Sequence, residues 1–128
     1  MIACLAPSFL SDYGDEKLEN LLKVFYCLGF SGVSETAIGA DLVAHQTNRF
    51  LSETQKEVVL ATCCPSVVNY IKIYYPEYEG HLAPIVSPMI AHVRLLRAAG
   101  YANHKLVFVG PCIAKKRESD IYENETDA

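Results

Sequence analysis

The stretch from residue 58 to residue 66 reads Val58-Val59-Leu60-Ala61-Thr62-Cys63-Cys64-Pro65-Ser66. Its first four residues are an apolar run typical of a buried strand, and a helical pattern follows from Val67 to Ile71. Two adjacent thiols therefore lie where a strand is predicted to turn into a helix. The first amide N–H groups of a helix lack intrahelical partners and the helix dipole is positive there, so this position stabilises a thiolate. Such a thiolate is a better metal ligand, nucleophile or proton carrier than an ordinary cysteine.

Apolar segments alternate with amphipathic helical patterns along the whole chain. We predict strands at 2–6, 33–38, 58–62 and 106–109, and helices at 15–28, 40–51, 65–75 and 88–100. The alternation is typical of an α/β fold. We therefore expect one domain over residues 1–128, with an open, about four-stranded parallel sheet and helices on both faces. On the second helix, the expected inner face is Leu42, Val43, Gln46 and Phe50.

Polar or reactive corners follow three of the predicted strands directly. These corners are Pro7-Ser8, Cys63-Cys64 and Cys112. Because the carboxyl ends of parallel strands share one edge of the sheet, where ligands of open α/β sheets bind, we expect the corners to lie close together. Cys4 and Cys27 have apolar neighbours instead, and we interpret both as structural.

The composition narrows the classes of function. The chain has 128 residues, half of them apolar, and a net charge of −4. Its Lys and Arg residues are scattered, which argues against nucleic acid as a partner, and no apolar run is long enough to cross a membrane. Five cysteines at irregular spacing do not form a disulfide framework, so we expect a cytoplasmic, reducing setting. From the strand pattern at its start and the acidic run 118–128 at its end, we expect a piece of a longer protein.

Three interpretations of the converging cysteines remain open on spacing alone. The first is packing and turn geometry, because free cysteine is among the most buried residue types. The second is thiol chemistry, although the chain has no Cys-x-x-Cys pair. The third is metal binding, in which Cys64 and Cys112 would hold half of an iron–sulfur cluster, a group that needs four thiolates.

Several motifs together resemble the active-site domain of iron-only (FeFe) hydrogenases. They are Thr62-Cys63-Cys64-Pro65, Ser87-Pro88 and Gly110-Pro111-Cys112-Ile113-Ala114-Lys115-Lys116-Arg117-Glu118, with matches in order at Ala6-Pro7-Ser8 and Ala40-Asp41-Leu42. The resemblance covers essentially the whole chain. It implies the first lobe of a two-lobed hydrogenase active-site domain, truncated at the C-terminus.

The resemblance implies an H-cluster in the parent protein, a 4Fe–4S cubane bridged through a cysteine to a di-iron unit with CO, cyanide and dithiolate ligands. Carried over by motif, Cys64 and Cys112 would be two of the four cubane ligands. Cys63 would be the proton-relay thiol beside the di-iron unit, and Glu118 a further, catalytic member of that relay.

The same resemblance implies cofactor-binding roles for three other residues. Lys115 would donate a charge-assisted hydrogen bond to one cyanide ligand, and Pro7 and Ser8 would line the other. Taken without the motif, Lys115 reads as part of a solvated basic run and Glu118 as the start of an exposed tail.

The chain departs from the family pattern in four places. The third family motif, which supplies the remaining cubane ligands, is absent. Gly110 stands where catalytic members have methionine, Met89-Ile90 replaces glutamines that include a cyanide donor, and Val67 replaces a tryptophan. These changes resemble a sensory branch in which such a domain is fused to ferredoxin-like and PAS or kinase modules.

The resemblance therefore implies a parent protein that activates H2 through an iron–sulfur centre. For this variant, it favours sensing of H2 or of redox state through that centre. Whether the parent is an enzyme stays open. With two of four ligands, the isolated chain is expected to be metal-free and inactive, and to self-associate through an exposed apolar face. The alternative is a metal-free regulatory or interaction domain that retains the fold. A thiol-redox enzyme is a third hypothesis.

Overall fold

The computed structural model describes residues 1–122, apart from the side chains of residues 12–17. The end of the predicted acidic run, residues 123–128, lies outside the described residues. In order, the elements are β1 (Ile2–Leu5), α1 (Phe9–Cys27), β2 (Gly32–Glu35), α2 (Ala37–Glu53), α3 (Pro65–Tyr74), a 3₁₀ turn (Pro76–His81), α4 (Pro88–Leu96) continued by a π-helical turn (Arg97–Tyr101), β3 (Leu106–Val109) and α5 (Ala114–Ile121).

The sheet is parallel, with strand order β2-β1-β3. Ile2 lies opposite Gly32 on one side and Leu106 on the other, and Leu5 lies opposite Glu35 and Val109. All three carboxyl ends are therefore level at one edge. Helix α1 returns the chain from that edge and ends before Gly29, whose φ of +88° is readily adopted only by glycine.

The predicted strand at 58–62 is not part of this sheet, so within the described residues the sheet has three strands rather than about four. Leu60 forms one isolated parallel bridge with Leu82. Thr62 then donates its hydroxyl to the carbonyl of Ile85 at 2.5 Å. The segment is thus held by the connection 81–85, where Leu60 donates its amide to the His81 carbonyl and accepts from the Ala83 amide instead of pairing in the sheet.

The two faces of β1 build two cores, as expected for a sheet covered on both sides. Ile2 and Cys4 pack with Leu106 and with residues Val93 and Leu96 of α4. On the opposite face, β1 residues Ala3 and Leu5 pack with Phe25 of α1. Burying one large aliphatic side chain of this kind is worth about 1.5–3 kcal/mol, so the short central strand is fixed from both sides.

Helix α2 lies directly against α4 because Gly39 has no side chain. A Cβ there would collide with the carbonyl oxygen of Pro88 and lie 2.7 Å from the Cβ of His92. The inner face of α2 therefore includes Gly39 and differs in part from the face predicted from sequence. Val43 and Phe50 are half-buried as expected, whereas Leu42 and Gln46 are exposed, so those two residues were wrongly placed on the inner face.

No helix in the described part of the chain is long and apolar enough to span a bilayer.

Candidate functional site

A cavity of about 250 Å³ lies at the carboxyl edge of the sheet. We call it the site cavity. It is lined by residues that follow all three strands and by residues of two further segments: Ala6, Pro7, Ser8, Thr36, Cys63, Pro88, Met89, Phe108, Pro111, Cys112 and Lys115. Five of the residues predicted from sequence are thus brought to one place, namely Pro7, Ser8, Cys63, Cys112 and Lys115.

Each strand end positions its part of the site cavity. Pro7 and Ser8 connect β1 to α1, and Pro111 and Cys112 connect β3 to α5. The amide of Ala6 donates to the carbonyl of Val109 at 2.9 Å, which keeps these two connections side by side. The predicted convergence of the three corners is confirmed, although Cys63 arrives from the bridged segment 58–62 rather than from a sheet strand.

The two adjacent thiols have different surroundings. Cys64 is the N-cap residue of α3, with Pro65 at the first helical position, as the sequence predicts. Its side chain makes no capping hydrogen bond and is half-buried. Cys63 is exposed and lines the site cavity, whereas Cys64 is not among the lining residues. The structure therefore shows Cys63 and Cys112 sharing the cavity, with Cys64 one residue away along the chain.

Lys115 and Glu118 form a buried ion pair on α5. The Lys115 ammonium donates to Glu118 Oε2 at 2.6 Å, and the two side chains are only 13% and 9% exposed. Interpreting these residues as a solvated basic run and an exposed tail is therefore wrong. Lys115 lines the site cavity, whereas Glu118 lines a second cavity of about 460 Å³ between α3 and α5. The ion pair thus joins two cavities.

The glycine at position 110 is required by its neighbours. A Cβ at Gly110 would lie 2.8 Å from the Cβ of Ala6 and 2.8 Å from Cε1 of Phe108. The Phe108 ring therefore fills the space that a side chain at position 110 would need. Phe108 also lines the site cavity, so the lack of a side chain at position 110 leaves room for a ring of the cavity wall.

The remaining cysteines lie away from the site cavity. Cys4 is buried in β1, and desolvation raises the pKa of its thiol to about 11, which agrees with a structural role. Cys27 is exposed at the end of α1, so the expectation that it packs among apolar neighbours is wrong. The last residue of a helix can point to solvent even when the residues around it in sequence are apolar.

Thr36 is a cavity residue that the sequence analysis missed. It follows β2 directly, is 4% exposed, and its hydroxyl has no hydrogen-bond partner in the described structure. The rule that ligands bind at the carboxyl ends of parallel strands could have identified it. The predicted strand 33–38 extended past Thr36, which hid the strand end.

Of the two iron–sulfur ligands that the motifs imply, Cys112 lines the site cavity and Cys64 directly follows the lining residue Cys63 in the chain, so these residues fit one side of an iron–sulfur centre at its border. The exposed cysteines Cys63 and Cys112 and the cationic Lys115 line the same space. Within the described residues, no three His, Cys, Asp or Glu side chains are grouped closely enough to hold a metal by themselves. A cubane needs four thiolates, so the other side of such a centre would have to come from elsewhere.

Comparison with known proteins points to one family. A family model described as "Iron only hydrogenase large subunit, C-terminal domain" matches residues 1–128. The chain is similar to the periplasmic Fe hydrogenase large subunit of Nitratidesulfovibrio vulgaris (strain Hildenborough), with 27% identity over 127 residues. That match covers 89% of this chain and 30% of the relative, so the chain spans less than a third of the relative's length. Because the family model covers every residue, this chain belongs to the iron-only hydrogenase large subunit family, as a C-terminal-domain sequence.

Proposed function

We propose that this chain is the first lobe of a hydrogenase-like active-site domain and forms one side of an H-cluster-type centre. The observation that carries the proposal is the site cavity, where Cys63, Cys112 and Lys115 meet at the carboxyl edge of the sheet. Membership of the iron-only hydrogenase family supports it. When bound, such a centre would supply the heterolytic cleavage and formation of H2, with electrons passing through the cubane.

The residues of this chain would then have distinct tasks. Cys64 and Cys112 would supply two of the four cubane thiolates. Cys63, which is exposed to the cavity, would hold and release a proton at its sulfur. Lys115 would donate to an anionic ligand, since an ammonium has three N–H donors and Glu118 takes one of them. Glu118 would fix the direction of that ammonium and extend the proton relay into the second cavity.

Two features of the cavity wall favour sensing over fast turnover. Met89 is 3% exposed and brings a thioether without a hydrogen-bond donor to the cavity. Gly110 allows the Phe108 ring to occupy the wall. A wall with few donors stabilises developing charge less well, so we propose H2 or redox sensing for the parent, with ferredoxin-like and sensor modules as partners.

A metal-free regulatory or interaction domain is the second candidate. It is favoured by the incomplete ligand set, because the described residues contain no complete metal-binding group. On this proposal the cysteines would contribute packing and turn geometry only. The two candidates differ in whether iron uptake depends on the cysteines.

Anaerobic iron–sulfur reconstitution of the intact protein tests the proposal. We expect iron binding and the visible absorption of a cubane in the unsubstituted protein, and a large loss of both in Cys64→Ser and Cys112→Ser. Cys27→Ser is the matched control, because Cys27 is exposed but lies outside the cavity. Equal, substantial iron uptake in all three variants would contradict Cys64 and Cys112 as ligands, and an unsubstituted protein that takes up no iron would support the metal-free candidate instead.

The 128-residue chain alone should behave differently from the intact protein. With two of four thiolates, we expect it to retain little iron after the same treatment. A stable cubane at near one equivalent per isolated chain would contradict the proposed ligand set. We also propose a cytoplasmic setting, in which the exposed thiols stay reduced.

A further inference from the structure

His92 on α4 is a buried, titratable side chain whose surroundings suit only its neutral form. It is 1% exposed, and its Nε2 lies 2.8 Å from the hydroxyl of Ser34 on β2. Its Nδ1 is buried and has no hydrogen-bond partner among the described residues. A protonated imidazole carries an N–H donor at both nitrogens. Protonation would therefore place a buried charge and an unpaired donor inside the packing.

The elements packed around His92 offer no buried counter-charge among their described residues. Their titratable and charged side chains are Cys4 on β1, Glu35 on β2, Asp41, His45, Arg49 and Glu53 on α2, and Arg94 on α4. All of them except Cys4 are exposed, and burial keeps the Cys4 thiol protonated by raising its pKa to about 11. Desolvation accordingly lowers the pKa of His92 from its ordinary value of 6.5. A charged His92 can be hydrated only if the helices around it separate.

The contact between α2 and α4 leaves no space for water beside His92. A Cβ on Gly39 would lie 2.7 Å from the Cβ of His92 and would collide with the carbonyl oxygen of Pro88. The backbone of α2 thus lies directly on α4 at this crossing. Because a close-packed contact of this kind cannot absorb an extra molecule, hydration of His92 requires that the two helices move apart.

Both of these helices begin at the site cavity. Thr36, the N-cap residue of α2, lines the cavity, and so do Pro88 and Met89, the first two residues of α4. His92 follows Met89 by three residues, which is about one helical turn. Movement of α2 against α4 at His92 would therefore also move residues of the cavity wall.

We propose that His92 is a pH-sensitive switch between α2 and α4, and that its protonation separates the starts of the two helices and widens the site cavity. In the neutral form, the imidazole stays bonded to Ser34 and the helices hold the wall in place. In the protonated form, water enters beside Nδ1, and Thr36 and Met89 move apart. The proposal goes beyond the proposed function and does not rest on it, because the switch needs no iron–sulfur centre.

Hydrogen exchange of the intact protein in its iron-free form, between pH 7 and pH 5, is the first measurement. The amides of Ala40 and Ala91 donate to the N-cap carbonyls of α2 and α4 at 3.1 Å and 2.9 Å. After correction for intrinsic exchange rates, their protection should fall by up to about tenfold per pH unit below pH 6.5, because the opened form takes up the proton first. The Val68 amide, which makes the same type of bond at the start of α3, is the internal control and should keep its protection.

Methyl NMR of the same protein reports on the cavity wall itself. Met89 is 3% exposed and lines the site cavity, whereas Met1 is 44% exposed. Relaxation of the Met89 methyl by a neutral, dissolved gadolinium chelate should increase as the pH falls, and relaxation of the Met1 methyl should stay constant. The Met89 signal is assigned as the one that disappears in Met89→Leu.

Substitution of the histidines identifies the group that titrates. His92→Gln should remove the pH dependence of both measurements, and His45→Gln should retain it, because His45 is exposed on the same pair of helices. A full pH response in His92→Gln would overturn the proposal.

The unsubstituted protein tests the switch even if His92→Gln does not fold. Equal loss of protection at Ala40, Ala91 and Val68 would show global unfolding instead of a local separation of two helices, and would overturn the proposal. A Met89 methyl that stays as inaccessible at pH 5 as at pH 7 would overturn it as well.

Discussion

The Lys115–Glu118 ion pair differs from the Arg49–Glu53 pair mainly in its burial. Both are short, at 2.6 Å and 3.0 Å, and both join neighbouring turns of a helix. The Arg49 and Glu53 side chains are 72% and 64% exposed, so water screens their attraction. Lys115 and Glu118 are nearly buried, and each depends on the other for compensation of its charge.

We therefore expect single substitutions in the buried ion pair to destabilise the folded protein. Lys115→Met or Glu118→Leu should each lower the free energy of unfolding by about 3 kcal/mol, because a nearly buried charge is left without its partner. The double variant should lose less than either single variant. Urea unfolding measures these values, and Glu53→Gln is the control, with an expected change within about 0.5 kcal/mol. A double variant whose loss equals the sum of the single losses would show that the two charges are not coupled.

Sequence predicts residue identity at the site better than residue burial. Cys63, Cys112 and Lys115 were placed at one site because strand ends converge and because the motifs resemble a family. The burial of Glu118 could not be predicted, because the run 115–118 is charged throughout and only the packing of α5 removes it from water. The Thr36 hydroxyl has no hydrogen-bond partner among the described residues, and this too cannot be predicted from the sequence, because it depends on which neighbours the fold brings to it.

At the scale of elements, a buried imidazole lies where α2 packs against α4. His92 on α4 is 1% exposed, and its Nε2 lies 2.8 Å from the Ser34 hydroxyl at the edge of β2. Its Nδ1 has no partner in the described structure. Desolvation by this burial lowers the pKa of His92 from its ordinary value of 6.5. Protonation of His92 therefore opposes the packing of α2, α4 and β2.

The stability of the protein should consequently fall in mild acid. Because folding lowers the pKa of His92, the unfolded chain takes up a proton first as the pH drops. The stabilisation is complete above pH 6.5 and is lost as the pH falls through the lowered pKa, with a slope of at most about 1.4 kcal/mol per pH unit. The free energy of unfolding, measured with urea between pH 8 and pH 5, should depend less steeply on pH in His92→Gln than in His45→Gln. His45 is the control because its side chain is exposed. Equal slopes would contradict this role of His92.

The elements themselves were largely predictable where periodicity and turn chemistry agree. The strand 106–109 and the helix between Pro65 and Pro76 lie where they were predicted, because each has clear flanking signals. The segment 58–62 has the same apolar character as a strand but forms a single bridge. An apolar run specifies burial, whereas membership of a sheet also depends on a free strand edge, which the run itself does not show.

At the scale of the molecule, the strand order explains why distant motifs meet. β1 lies in the centre, and the chain passes first to β2 on one side and later to β3 on the other. Ligands of open α/β sheets bind at such a reversal, beyond the carboxyl ends of the strands. Helix α1 has 19 residues and is about 28 Å long. Cys27 at its far end therefore lies at the opposite edge of the sheet from Cys112.

This arrangement predicts which thiols can be joined in the native protein. A short bifunctional thiol reagent should link Cys112 to Cys63, since both are exposed and border the site cavity. The Cys64→Ser variant prevents a competing link between the adjacent thiols. Cys27 is also exposed but lies about one helix length away, so it should not be linked to Cys112. Peptide mapping by mass spectrometry identifies the linked pairs. In urea, Cys112 should no longer be linked preferentially to Cys63. Preferential linking of Cys112 to Cys27 in the native protein would contradict the placement of Cys63 and Cys112 at the same edge of the sheet.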